Sequence, residues 1–484
     1  MIGASFRRGV ARSTFEGPIV KLTRSVLAAL LLATAAGPAK AQETWTFPAG
    51  FLWGAATAAH QVEGGLTNDW TAFEATPGAI AHGDTSAVAV DHYRRYDEDF
   101  ALAAGMGHNA HRMSIEWARV EPRRGEWDES AIKHYHAVFA SLKRHGLKPM
   151  VTLHHFTNPV WVAEQGGWCS DKTVEDFARF AAMMGREFGA DVDMWITVNE
   201  PNVYAFQGHD AGYWPPQRKD REEALRVIAQ LVKGHAAAYR ALHRTDRVDA
   251  DGDGRAAMVG VAQHIAIFDA FAFWSPLDHG AAIVNDRIFN RAFLAGATTG
   301  ELRMAVPGLR GVRGFEPAAV SAMDFIGVNY YTRWRTRGMS DRVLTPGAPT
   351  TAIGWEIYPE GLYRALQLAN DYTRLPDGRR IPLVVTENGM DDRDGTRRSA
   401  YLVRHLQQVA RAIADGMDVR GYLHWTLMDN FEWAEGYGPR FGLYHVDRRP
   451  GADLRRIPTE TVPVFKAITA ANGLTPELLK RYGE

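Results

Sequence analysis

Short apolar runs rich in β-branched residues alternate along this chain with longer stretches in which apolar positions return every three or four residues. The first pattern reads as buried strands and the second as amphipathic helices. Strands are predicted at 51–56, 110–115, 149–154, 194–198, 259–264, 325–330, 382–386 and 419–425. Helices are predicted at 91–104, 130–145, 173–188, 222–243, 360–372 and 401–415. Gly105, Gly146, Gly189 and Gly416 follow four of these helices, where a left-handed C-terminal residue is expected.

Strands alternating with helices predict a parallel α/β sheet, and eight strands is the number that closes as a single (β/α)8 TIM barrel. An open, doubly wound sheet is the alternative. It is weakened because no glycine-rich phosphate turn follows the first strand. No short repeat and no Pro/Ser-rich linker divides the chain, so residues 42–484 read as one domain.

The N-terminus stands apart. Arg7, Arg8, Arg12, Lys21 and Arg24 precede an uncharged run, 26–36, followed by Ala39-Lys40-Ala41. A basic region, an apolar core and a small-x-small site predict a secretory signal over 1–41, with mature protein from Gln42. The run is shorter than the ~20 apolar residues that span a bilayer. A membrane anchor is the alternative; the signal reading predicts an exported protein, periplasmic or secreted, with no stable membrane insertion after its removal.

Composition narrows the partners. An apolar fraction of 46% and a charged fraction of 23% are those of a soluble globular protein. With a net charge of -1, no basic excess favours a nucleic acid or an anionic membrane. The single cysteine, Cys169, forbids an intrachain disulfide and reads as a small packing residue. Residues 249–254, Asp-Ala-Asp-Gly-Asp-Gly, resemble the start of an EF-hand loop, but Gly260 stands where the closing glutamate belongs. A polar turn before the fifth strand is the preferred reading, with no metal and no cofactor expected.

The chemistry lies in Trp195-Ile196-Thr197-Val198-Asn199-Glu200-Pro201 and Leu383-Val384-Val385-Thr386-Glu387-Asn388-Gly389. Each is an apolar run ending in a glutamate beside an asparagine. A buried charge costs several kcal/mol unless paired, so stability does not place carboxylates there. Two on separate strands suggest the paired carboxyls that cleave glycosidic bonds, one donating a proton while the other attacks or activates water. Polar and aromatic residues also gather at the predicted C-terminal strand ends, where a barrel carries its active site. Gln61 follows the first strand and Arg112 lies in the second. His155, Asn199 with Glu200, Asn329 with Tyr331, Glu387 and Trp425 mark the ends of strands three, four, six, seven and eight.

With these residues in view, the chain resembles the family 1 retaining β-glycosidases over nearly all of 47–473. Matching segments include Phe51-Leu52-Trp53-Gly54-Ala55-Ala56-Thr57, Gln61-Val62-Glu63-Gly64, Arg112-Met113-Ser114-Ile115-Glu116-Trp117, and Thr152-Leu153-His154-His155. Further matches are the two glutamate motifs, Asp324-Phe325-Ile326-Gly327-Val328-Asn329-Tyr330-Tyr331, and His424-Trp425-Thr426-Leu427-Met428-Asp429-Asn430-Phe431-Glu432-Trp433. The resemblance implies that Glu200 is the acid/base and Glu387 the nucleophile, kept ionised by Arg112. It places Gln61, His155, Asn199, Glu432 and Trp433 around the sugar, with Trp425 as a platform beneath it. It puts Tyr331 on the nucleophile, Asn329 beside it and Trp355 on the leaving-group wall.

The implied substrate is a small β-glycoside. A transglycosylase working through the same intermediate is the closest rival. A catalytically inactive sugar-binding module is a more distant one, disfavoured because both glutamates are present. The family also contains enzymes for 6-phosphorylated sugars, but the loop Phe431-Glu432-Trp433-Ala434-Glu435 has two carboxylates and no lysine, so a neutral sugar is expected. The chain departs from the family pattern at His60 and at His154-His155-Phe156-Thr157, where tyrosine, tryptophan and aspartate are usual. Asn202 follows Pro201, and Glu116, where many relatives lack an acid, reads as a surface or rim ion pair.

Overall fold

The computed structural model describes residues 44–338 and 341–484. The predicted signal segment, 1–41, lies outside the described residues. Eight parallel strands form the closed barrel: β1 Leu52–Ala56, β2 Ala110–Ser114, β3 Lys148–His154, β4 Met194–Asn199, β5 Met258–His264, β6 Phe325–Asn329, β7 Leu383–Asn388 and β8 Val419–Trp425. They pair in chain order, and the ring closes through β8 on β1. The predicted strands agree with these to within one or two residues at either end.

One helix packs outside after each strand: α1 His92–Gly105, α2 Glu129–Arg144, α3 Asp171–Phe188, α4 Arg221–Thr245, α5 Ala292–Thr299, α6 Glu360–Asn370, α7 Arg398–Ala414 and α8 Thr461–Ala471. On α3 the residues Thr173, Phe177, Phe180, Ala181, Met184 and Phe188 are buried, which is the one-sided spacing the sequence shows. Asp128 and Asp220 cap α2 and α4 by accepting backbone N–H bonds from the first turn. Inside the barrel, Met150, Ile196, Met258, Phe325, Val384 and Leu423 fill the end opposite the predicted site. Among the described residues no helix is long and apolar enough to cross a membrane.

Some details differ from expectation. Gly146 and Gly416 are left-handed, but Gly105 ends α1 and Gly189 is right-handed. Gly107 takes the left-handed position after α1 instead, and Gly189 lacks a side chain because Asp246 and the Gly185 carbonyl press against it. Helices α5 and α8 were not foreseen. Nor was the small sheet of Ile267–Ala270, Arg333–Arg337 and Asp341–Val343, which extends beyond the ends of β5 and β6.

Candidate active site

Each glutamate lies at a break in strand register, Glu387 within one and Glu200 just after another. β4 shifts against β5 between Ile196 and Asn199, and β7 shifts against β8 between Val385 and Asn388. Such irregularities re-aim side chains at a barrel rim. Glu200 stands one residue beyond β4 in a left-handed conformation, φ 45° and ψ 59°. That backbone costs roughly 1–3 kcal/mol. Its N–H donates to the Ala262 carbonyl at 2.7 Å, which ties the strained residue to β5.

Arg112, fully buried in β2, organises the floor. Its Nη1 donates to Glu387 Oε1 and, at 3.3 Å, to the Thr386 carbonyl. Nη2 donates to Asn199 Oδ1 at 2.7 Å and Nε to Thr152 Oγ1 at 3.2 Å. The Tyr331 hydroxyl donates to Glu387 Oε2 at 2.6 Å, so both carboxylate oxygens of Glu387 face donors.

Asn199 Oδ1 also accepts from Asn329 Nδ2 at 3.1 Å, and its own Nδ2 therefore donates to His155 Nε2 at 3.3 Å. That fixes the tautomer: His155 carries its proton on Nδ1, which has no partner among the described residues. Burial first, then the charge of Arg112, holds the imidazole well below its usual pKa and therefore neutral. Asn329 Nδ2 donates further to Glu200 Oε1 at 2.9 Å. Glu200 Oε2 has no hydrogen-bond partner among the described residues.

A third carboxyl, Glu432, accepts from Trp425 Nε1 at 3.3 Å and from Gln61 Nε2 at 3.4 Å. Gln61 also donates to Asn430 Oδ1 and the Phe431 carbonyl, leaving its buried Oε1 unpartnered. His155 lies nearly parallel to both Trp425 and Trp433, with interplanar angles of 16° and 11°. Phe156 meets Trp433 edge-on, while Trp355 leans on Tyr331.

These groups open into a cavity of about 1040 Å³ lined by Glu200, Glu387, Glu432, His155, Asn199, Tyr331, Trp425, Trp433 and Trp355. Gln61, Arg112 and Asn329 hydrogen-bond the lining carboxyls Glu432, Glu387 and Glu200 in turn. One neighbour escaped the sequence reading. His264, the last residue of β5, places Nδ1 3.1 Å from Glu200 Oε1 and stacks on Tyr331. Its strand was the only one to which no rim residue had been assigned, and its terminal position was the available signal.

Two other expectations are corrected. Among the described residues Glu116 makes no ion pair; it is buried and accepts from Asn68 Nδ2 and Thr157 Oγ1. Cys169 is exposed rather than packed in the core.

Residues 43–474 match the profile of glycosyl hydrolase family 1. The chain belongs to that family. It is a glycoside hydrolase, and the relatives agree. Beta-glucosidase A of Thermotoga maritima is 32% identical over 457 residues, 88% of this chain and 98% of that protein. The solved beta-glycosidase from Pyrococcus horikoshii superimposes with a TM-score of 0.80 at 35% identity, covering 91% of this chain and 99% of its own. The Thermotoga maritima beta-glucosidase in complex with glucoimidazole gives 0.79 at 31% identity, over 89% and 100% of the two chains.

In this family 1 hydrolase the carboxyls are far from their behaviour in water. Burial lifts Glu387 to about 7, against the pull of Arg112, and the charge of Glu200 pushes the same way. The hydrogen bonds at Glu387 favour its ionised form. Arg112 can only donate, and burial and the neighbouring carboxylates raise the Tyr331 phenol well above its usual range, so it also stays a donor. A proton on Glu387 would face those donors. Burial likewise lifts Glu432 to about 8, so in the ligand-free site it is largely protonated at pH 7.

Tyr331→Phe removes one donor to the ionised Glu387 and should move its pKa further upward. A carbon-13 NMR titration of labelled glutamate reads the shift; an unchanged or lower value contradicts this hydrogen-bond assignment.

Proposed function

We propose that the enzyme is an exo-acting retaining β-glycosidase, a β-glucosidase in its main activity, working by double displacement. One observation carries this reading: Glu387 is held by Arg112 and Tyr331 in the same cavity as Glu200, whose Oε2 is free. Glu387 attacks the anomeric carbon as the bond to the leaving oxygen breaks, and the Glu200 proton passes to that oxygen. The glycosyl-Glu387 ester is neutral, so Glu200 loses a neighbouring negative charge that opposed its ionised form. It then takes a proton from water as water displaces Glu387, and the anomeric configuration is retained.

The polar end suits a neutral sugar. His155 Nδ1–H and Gln61 Oε1 are an unpartnered donor and acceptor, Glu432 offers a carboxyl, and Trp425 and Trp433 offer apolar ring faces. The names of the Thermotoga maritima relatives favour glucose. Val203, Phe206, Val284, Ile288, Phe289 and Trp334 also line the cavity, beside polar residues such as Gln207, Asp210 and Asn285, so its apolar part suits an aryl or alkyl aglycone.

Glu387→Gly should abolish turnover, with partial rescue by azide as a small external nucleophile. Glu200→Gln should spare activated aryl leaving groups and slow poor ones by roughly 10²–10⁴ in kcat/KM. Substantial activity of both variants on an unactivated glucoside would refute these roles.

Phosphosugars should be excluded for a reason the loop charges alone do not give. The side chains bonded to Glu432 are Gln61 and Trp425, both uncharged, and Glu432 itself is mostly neutral. The cationic lining residues are engaged elsewhere, Arg221 with Asp210 and Arg342 over Phe289. A phosphate dianion buried without a cation loses several kcal/mol. Hydrolysis of an aryl β-glucoside 6-phosphate should therefore be slower than that of the neutral glucoside by roughly a thousandfold, about 4 kcal/mol. Comparable rates would mean that Glu432 does not neighbour the primary hydroxyl.

The basic and apolar pattern of 1–41 supports export as part of the same proposal. Mass spectrometry of protein from the native host should find an N-terminus at Gln42; an intact Met1 in the cytoplasmic fraction would contradict it.

A further inference from the structure

The loop 249–254 carries aspartates at the first, third and fifth positions of an EF-hand and glycine at the sixth, where Gly254 has φ 91°. The missing closing glutamate has a counterpart from another part of the chain. Asp193, just before β4, brings a carboxylate oxygen to the loop, and one oxygen each from Asp193, Asp249 and Asp251 all lie within 4.8 Å of one another. Backbone bonds hold this approach: Ala250 N–H donates to Asp193 Oδ1 at 3.0 Å, and Met258 N–H donates to the Asp193 carbonyl at 2.6 Å.

The independent sign of a ligand is Asp193 itself. The residue is 6% exposed, and its buried Oδ2 accepts no N–H or O–H among the described residues; the Asp193 carboxyl faces that of Asp251 instead, and two carboxylates can meet there only by sharing a proton or a cation. An unsatisfied buried carboxylate oxygen is costly, and neighbouring carboxylates repel it further. Lys148 Nζ answers part of the charge by pairing with Asp251 Oδ2 at 2.8 Å, but among the described residues no Lys, Arg or His pairs with Asp193 or Asp249. Backbone N–H groups of 252, 253 and 254 donate to Asp249, which keeps the loop folded around its carboxylates.

We propose that Asp193, Asp249 and Asp251 bind one calcium ion. An all-oxygen, carboxylate-rich set with a flexible loop suits calcium; zinc prefers nitrogen or sulfur ligands, and magnesium requires a stricter octahedron. The ion sits at the N-terminal ends of β4 and β5, beside the start of β3, on the barrel face opposite the glutamates. That face serves stability rather than chemistry. Calcium there is a clasp between adjacent strands, and it does not depend on the glycosidase mechanism proposed above.

Calorimetric titration of calcium into EDTA-stripped full-length protein, paired with thermal unfolding, tests this. One ion should bind, with Kd on the order of 10⁻⁵–10⁻³ M. At a hundredfold excess over Kd the melting temperature should rise by roughly 2–5 °C. Asp249→Asn and Asp251→Asn, both at exposed positions, should lose the binding heat and the calcium-dependent shift while keeping kcat/KM at 25 °C. The proposal is overturned if the parent protein gives neither heat nor shift, if both variants keep them, or if magnesium acts equally well.

Discussion

A guanidinium with no access to solvent sets the terms for the centre of this barrel. Taking the charge of Arg112 out of water costs several kcal/mol unless acceptors surround it. β3 supplies Thr152, β4 supplies Asn199, and β7 supplies the Thr386 carbonyl and Glu387. Only a closed ring of strands brings those groups to one point. The dependence runs both ways, because the Glu387 carboxylate proposed to attack the sugar is also the main counterion of Arg112. Removing either leaves the other as an uncompensated buried charge.

From that pair the rest of the site follows by donor and acceptor logic. Asn199 is committed at Oδ1 to two donors, so its amide nitrogen must donate to His155, which leaves a single N–H on the far side of the imidazole. Asn329 ties Asn199 to Glu200, and Tyr331 completes the coordination of Glu387. Donors fixed in a buried site lose little on reorganising when charge shifts between the carboxyls. The polar atoms left open, His155 Nδ1 and Gln61 Oε1, are costly to bury unless a partner meets them, as hydroxyls of the proposed sugar substrate would.

Much of this was visible before any coordinates. The eight strands stood out because their apolar runs are short and bounded, and helices with one apolar face, such as α3, carry their own period. Helix α5 lacked that signal, since Ala292–Thr299 is apolar nearly all round, and α8 begins with β-branched residues and a proline, which weaken a helical pattern. The paired glutamates, Arg112 and the aromatic platform could be named because side chains at the C-terminal ends of barrel strands converge whatever their distance in sequence. His264 could have been found by the same rule.

What residue order could not determine is how neighbouring groups share protons, charge and space. Glu116 read as a rim ion pair and lies buried among neutral donors. Glu432 read as a negative charge and is largely neutral when buried. Gln61 read as a rim residue, and only the folded chain shows that its amide N–H is committed to Asn430, Phe431 and Glu432 while its Oε1 stays open. The 249–254 loop read as incomplete because its closing carboxylate comes from Asp193, a whole strand and helix earlier. Periodicity, turn residues and residue chemistry are local, so the sequence by itself determined the barrel and the identity of its rim. Protonation, tautomer and counterion depend on desolvation and on distances between strands, and those exist only once the ring has closed.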